Sequence, residues 1–99
     1  MIHVEVVRIA ERLFTGVEVK LPKTTLLAVA SDKGYIMCGA LDINLLNEKL
    51  SDRRIVAGRA VGVRTIEDLL NAPLDMVTEE AERFGIFPGM IGRAAMLKM

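Results

Sequence analysis

The first third of the chain alternates apolar and polar residues with the two-residue period of a β-strand. Residues 2–9 place three apolar side chains opposite His3 and Glu5, and residues 17–21 repeat the pattern. Pro22 ends the second strand because its nitrogen cannot donate a hydrogen bond to a neighbouring strand. The pattern therefore predicts two strands that are each buried on one side.

Two further segments are apolar without alternation. Residues 26–30 and 35–38 flank Ser31-Asp32-Lys33-Gly34, a turn sequence that offers glycine for a left-handed position. These segments predict a hairpin of central strands that are covered on both faces.

The pattern changes to helical spacing after residue 41. Asp42 is a suitable N-cap for a short helix that places Ile43, Leu46 and Leu50 on one face. Residues 55–63 form the candidate fifth strand. Since a helix separates it from the strand before Asp42, a right-handed crossover should make these two strands parallel.

Three short helices account for the rest of the chain. Thr65 is the predicted N-cap of the first, with Asp68 at the third helical position. Caps, prolines and glycines predict the other boundaries: a stop at residues 71–73, a helix between Thr78 and Gly85, and a last helix after Pro88-Gly89.

The order of elements is therefore ββββαβααα, in a single domain over residues 1–99. We predict an α+β fold with a five-stranded mixed, mostly antiparallel sheet. The short helices should cover one face of the sheet. The other face, judged from the apolar strands, should pack against a second subunit.

The composition strengthens the expectation of an oligomer. Hydrophobic residues make up 52% of the 99 residues, and adding the 8 glycines gives about 60%, against roughly 45–50% in ordinary domains. A domain of this size cannot hide such a surplus inside one subunit. We expect a homo-oligomer that assembles through the N-terminal strands.

The charge balance argues against several classes of partner. Thirteen basic and thirteen acidic residues cancel, so no overall field attracts nucleic acid or an anionic membrane.

No apolar run approaches the ~20 residues that cross a bilayer. The single cysteine cannot form an internal disulfide, and charges near residue 1 differ from a signal peptide, so we expect a cytoplasmic protein.

Two motifs carry a resemblance to a known family. The segments Gly34-Tyr35-Ile36-Met37-Cys38-Gly39-Ala40-Leu41-Asp42 and Val61-Gly62-Val63-Arg64-Thr65-Ile66-Glu67-Asp68-Leu69-Leu70, with the tail Gly85-Ile86-Phe87-Pro88-Gly89-Met90, resemble the YunC-like family of small uncharacterised bacterial and archaeal proteins. The resemblance implies a small α+β domain whose N-terminal strands are an assembly region. It implies no activity, substrate or catalytic residue.

Cys38 is the first candidate for chemistry. It lies where a strand gives way to a helix, and helix amides can stabilise a thiolate, while Gly39 leaves room for a ligand. However, free cysteines are usually buried, and His3 is the only histidine that could act as a base. We therefore expect Cys38 to be buried. One cysteine and one histidine cannot build a zinc site, so we expect no metal and no cofactor.

A basic run is the second candidate. Arg53, Arg54, Arg59 and Arg64 occur with no acid after Arg53 until the helix that Thr65 caps. Together with Gly39, the residues Arg59, Arg64 and Thr65 are candidates for binding a small anionic ligand. The alternative is that these arginines bind no ligand and are either solvated or paired with neighbouring acids.

Three functions follow from these features. The leading hypothesis is a non-catalytic oligomeric module that binds a small ligand or a protein partner, because paired catalytic groups are absent. The alternative is a thiol-dependent enzyme or redox sensor that uses Cys38. A weaker alternative is a nucleic-acid accessory protein that uses the basic run or the turn at residues 84–89, although zero net charge argues against nucleic acid.

Overall fold

The structure is a computed structural model that describes residues 1–99. A six-stranded sheet carries four short α-helices and one turn of 3₁₀ helix, Ser51–Arg53. The strands are β1 Ile2–Ile9, β2 Arg12–Leu21, β3 Thr24–Ala30, β4 Gly34–Met37, β5 Val56–Arg59 and β6 Met76–Val77. The helices are α1 Ile43–Glu48, α2 Ile66–Asn71, α3 Glu79–Arg83 and α4 Gly92–Met96.

The strand order in the sheet is the order in the chain. Every strand pairs with the next one, and all pairs are antiparallel except β4 and β5. The predicted mixed sheet and the parallel pair across α1 are therefore confirmed. The predicted N-caps are confirmed too, since Asp42, Thr65 and Thr78 each accept a hydrogen bond from a main-chain amide in the first turn of their helix.

The prediction of five strands was wrong in number and in two boundaries, one of which is the start of the second strand, at Arg12 instead of Val17. The sixth strand, Met76–Val77, has two residues, which is too short to show any periodicity. The fifth strand ends at Arg59 instead of Val63. Gly62 adopts a positive φ of 74°, so the chain turns away from the ladder before the apolar run ends.

The helices lie on both faces of the sheet, which corrects the prediction that they cover one. α2 and α4 pack over β2, β3 and β4 around a core that contains Leu27, Ile36 and Leu69. α1 instead packs on the opposite face, where Ile43 and Leu46 surround Ala57 of β5. The crossover between the parallel strands β4 and β5 carries α1 over the face that contains Ala57, and the hydrophobic pattern does not contain this information.

The rest of that opposite face is apolar and uncovered. Residues that alternate along β1 are largely exposed, at 70% for Ile2, 61% for Val4 and 72% for Val6. The strand register continues the surface across the neighbouring strands. We call this surface the open sheet face; it comprises Ile2, Val4, Val6, Leu13, Val17, Val19, Leu26, Ala28 and Met37.

None of the helices has the length and apolar character that crossing a membrane requires.

Candidate functional site

Cys38 follows β4 and is buried, as expected, with 6% of its surface exposed. Its Sγ accepts a hydrogen bond from the Leu27 amide at 3.5 Å and lies 4.0 Å from the Thr25 carbonyl oxygen, to which the thiol donates. Both contacts are with main-chain atoms of the adjacent strand β3. The thiol therefore packs in the core beside β3, and no side-chain base contacts it.

His3, the only histidine, lies far from Cys38 in the same sheet. His3 pairs with Glu18, Glu18 pairs with Leu27, and the Leu27 carbonyl accepts from the Cys38 amide. Three interstrand spacings therefore separate the two residues, or about 14 Å. The His3 ring instead contacts the Glu5 carboxylate at 3.3 Å. Within one chain the structure does not form a cysteine–histidine pair.

Gly39 is exposed at the turn after Cys38. A Cβ placed there would meet only the Val61 side chain, at 3.4 Å. Gly39 therefore borders open space beside Val61. No charged side chain lies within 4 Å of a Cβ placed at Gly39.

Arg59 forms the closest ion pair of the protein with Asp75. Its Nε and an Nη donate to the two carboxylate oxygens at 3.0 and 2.7 Å. This bidentate hydrogen bonding lowers the pKa of Asp75 and raises the pKa of Arg59, and the attraction of opposite charges acts in the same direction. The pair fixes the segment before β6 to the end of β5. Arg59 thus has a structural partner in the position where the sequence suggested a ligand.

The basic run is divided between the two ends of the parallel strands. Arg53 and Arg54 precede β5 and line a cavity with the turn before β4, which contains Asp32 and Lys33. Arg64 follows β5 and lies at the other end. The four arginines do not share one surface.

Arg64 contributes to a second cavity, at the turn between β2 and β3. This cavity has a volume of about 440 Å³, and we call it the cationic cavity. It is lined by Lys23, Thr24, Thr25, Val63 and Arg64. Both charged side chains in the lining are positive, and neither forms a salt bridge or a side-chain hydrogen bond.

The two acids that follow Arg64 form no salt bridge with its guanidinium. Asp68 accepts a hydrogen bond from the Arg64 main-chain amide at 3.1 Å, and Glu67 forms a salt bridge with Arg93 at 3.1 Å. The Thr65 hydroxyl accepts from the Asp68 amide at 3.0 Å. Thr65 therefore caps α2, whereas the Arg64 guanidinium has no partner within the chain.

The turn at residues 84–89, which the sequence suggested as a site, and one further cavity have structural explanations. Gly85 and Gly89 have φ values of 81° and 94°, and their amides donate to the carbonyl oxygens of Glu82 and Leu74. The turn between α3 and α4 therefore uses these amides internally. A polar cavity between α1 and α3 mixes both signs of charge, including Arg83 in a salt bridge with Glu80.

Reasoning from the sequence missed Lys23, Thr24, Thr25 and Asp75. The first three join Arg64 only through the tertiary fold, so no spacing in the chain connects them. The local sequence indicated only the turn at Lys23. This residue follows a proline in a two-residue connection between paired strands, where a positive φ is common. Asp75 follows a proline-containing break, and nothing local indicates its pairing with Arg59.

Comparison with known proteins identifies the family. Residues 37–99 match the family model described as a domain of unknown function, DUF1805. The chain is 63% identical over 99 residues to the uncharacterized protein YunC of Bacillus subtilis, covering all of this chain and 98% of that protein. The crystal structure of a protein of unknown function, TA1206 from Thermoplasma acidophilum, superposes with a TM-score of 0.88 at 31% identity, over 99% of this chain and 92% of the other. The chain therefore belongs to the YunC-like DUF1805 family.

Proposed function

We propose that the protein is a cytoplasmic homo-oligomer that acts as a non-catalytic binding module. The observation that carries this proposal is the open sheet face. Its side chains come from four adjacent strands, and Ile2, Val4 and Val6 on the outermost strand are each more than half exposed. A surface this apolar is unfavourable in water and marks an interface.

The size of the surface is suitable for a stable contact. Four strands of about seven residues span about 25 Å by 20 Å, roughly 500 Å² in projection and more as accessible surface. A standard interface buries about 800 Å² on each partner. The face also contains a small hollow of about 140 Å³ whose lining includes Val17, Leu26 and Met37. An apolar side chain from another molecule fits such a hollow.

A second copy of this chain is the occupant that the features favour. Arg8 is the only charged residue on this face of β1, and Leu13 of β2 pairs with it. An apolar face with so little charge offers little electrostatic basis for selecting a different partner, but two such faces are complementary to each other. β1 also has a free edge, which a second copy can cover.

The non-catalytic part of the proposal rests on the surroundings of the thiol. Cys38 contacts main-chain atoms of β3 and no base. A thiol-dependent reaction would need a base to approach a side chain that is 6% exposed. The single cysteine is compatible with the reducing cytoplasm.

Light scattering after size-exclusion chromatography tests the assembly. We expect the wild-type protein to have a mass that is a multiple of 10.9 kDa at micromolar concentration. Val4→Glu should lower the mass towards that of one chain, because it buries a charge in the interface. Circular dichroism should show that this variant remains folded, since Val4 is exposed in one chain.

His3→Glu is the matched control. It adds the same negative charge at the residue directly before Val4, whose side chain points to the opposite face of β1. It should leave the mass unchanged. A monomeric wild-type protein, or a Val4→Glu variant with the wild-type mass, would show that the open sheet face does not bind a second copy.

A further inference from the structure

We propose that the cationic cavity binds the phosphate group of a small anionic molecule, with Lys23 and Arg64 as its two charged ligands. The inference deepens the proposed binding role by naming its ligand class and its site. It concerns the cavity at the β2–β3 turn, none of whose lining residues belongs to the set that defines the open sheet face.

The charge of the cavity is the first argument. Lys23 and Arg64 approach it from different segments, the β2–β3 turn and the loop before α2. Neither side chain is paired, and Asp68 and Glu67, the acids closest to Arg64 in sequence, are engaged with the Arg64 amide and with Arg93. Two unpaired, exposed cations that line one cavity give it a local positive charge that favours an anion.

The donor set is the second argument, and it selects phosphate among anions. Arg64 offers a planar fork, Lys23 offers a point charge, and the Thr24 and Thr25 hydroxyls can donate as well. A carboxylate has two oxygens and one charge. A phosphate group has three or more acceptor oxygens and close to two charges at neutral pH, which matches two cations and two hydroxyls better.

The backbone at Lys23 is the third argument. Leu21 pairs with Thr24, so Pro22 and Lys23 form a two-residue connection in which Lys23 has a φ of 64°. Glycine is the favoured residue after proline in a turn of this kind, since a side chain is strained at positive φ. The turn therefore fixes the position from which the Lys23 side chain reaches the cavity, although Ala10, Glu11 and Arg54 also have a positive φ.

The volume is the fourth argument. A cavity of about 440 Å³ is larger than one phosphate group needs and lies within the usual range for small-molecule sites. The lining contains one apolar side chain, Val63. The cavity therefore suits a polar phosphorylated molecule, with free phosphate as the simplest occupant.

An NMR titration tests the proposal on the full chain. Inorganic phosphate, glycerol 3-phosphate and acetate are each added at constant ionic strength, and amide shifts are followed. Phosphate should move the signals of residues 23–25 and 63–65 and bind more tightly than acetate. Tighter binding of glycerol 3-phosphate than of inorganic phosphate would identify a phosphate ester as the natural source, and the reverse order would identify free phosphate.

Variants assign the ligands. Lys23→Gln and Arg64→Gln should each weaken phosphate binding by about tenfold or more, the usual effect of losing one charge-assisted contact. Lys49→Gln removes an exposed lysine outside the cavity and should change nothing. Lys23→Gly should also lose binding, but without a lower melting temperature, because glycine relieves the positive φ.

Three results would overturn the proposal: no phosphate-dependent shift, equal affinity for acetate and phosphate, or shifts that follow Arg53→Gln instead of Arg64→Gln. The mass of each sample, measured in parallel, separates this inference from the assembly. An oligomer that does not bind phosphate contradicts only the ligand site. A monomer that binds phosphate contradicts only the assembly.

Discussion

Thr78 shows how much one side chain contributes to this fold. It is the only polar residue in the buried class, with 2% of its surface exposed. Its hydroxyl accepts from the amides of Ala57 and Ala81 at 3.1 and 3.2 Å and donates to the Ile55 carbonyl at 2.7 Å. One oxygen therefore caps α3 and joins it to β5. The capping role was predictable from the sequence, but the contacts with Ile55, just before β5, and with Ala57 of β5 depend on the tertiary fold.

We expect Thr78→Val to destabilise the protein by about 2–3 kcal/mol, because it keeps the side-chain volume and leaves the buried Ala57 amide without a partner. Thr65→Ala should cost about 1 kcal/mol, since the exposed Thr65 makes a single capping bond. Urea denaturation measures both values. Equal losses in the two variants would show that the bonds from Thr78 to β5 contribute nothing.

At the scale of elements, the sequence predicted which strands and helices form better than it predicted where they begin and end. The first four strands and all four helices were predicted because alternation, helical spacing and caps are local signals. β6 was missed, and both the start of β2 and the end of β5 were placed too late. The limits of β5 are set by pairing with β4 over only four residues, which is not a local property. The candidate residue Arg59 was identified without its partner for the same reason.

The Arg59–Asp75 pair should make the stability of the folded protein depend on pH. The pKa of Asp75 in the folded protein lies below the ordinary value of 3.8. The pair therefore stabilises the fold above about pH 4–5, and this contribution declines as the pH falls through the folded-state pKa. We expect Asp75→Asn to cost less than about 1 kcal/mol at pH 7, because Asp75 is partly exposed.

Acid and urea denaturation of the wild type and the variant measure this effect, and their difference in stability should shrink below pH 4. Asp32→Asn removes an exposed carboxylate without a salt bridge and should show no such convergence. A difference that stays constant down to pH 2 would contradict the assignment.

For the whole molecule, composition alone indicated surplus apolar surface but not its position. The strand register places that surface on one side of β1–β4, while Val7 and Ile9 of the same β1 face the core. The cationic cavity could not be predicted, since its two sides lie about forty residues apart in the sequence. Local patterns therefore predicted most strands and the helices, and only the fold reveals on which face of the sheet each helix packs and which residues share a cavity.

The exposed half of β1 should depend on assembly for its order. Residues 2–6 are all exposed, and β1 packs chiefly on β2. We expect hydrogen exchange at the amides of residues 2–6 to slow as the protein concentration rises, because the oligomer covers them. Exchange at Ile36 in the core should not change. Concentration-independent exchange in residues 2–6 would contradict this expectation.

The identity of strand order and chain order has a consequence for the speed of folding. Each antiparallel pair along β1–β4 closes only a short connection, so these pairs can form early at a small loss of chain entropy. The slow steps should be the parallel crossover through α1 and the final docking of the last helix, where Arg12 binds the carbonyl oxygens of Leu97 and Met99. The chain thus builds its sheet one neighbour at a time and makes its longest-range contacts last.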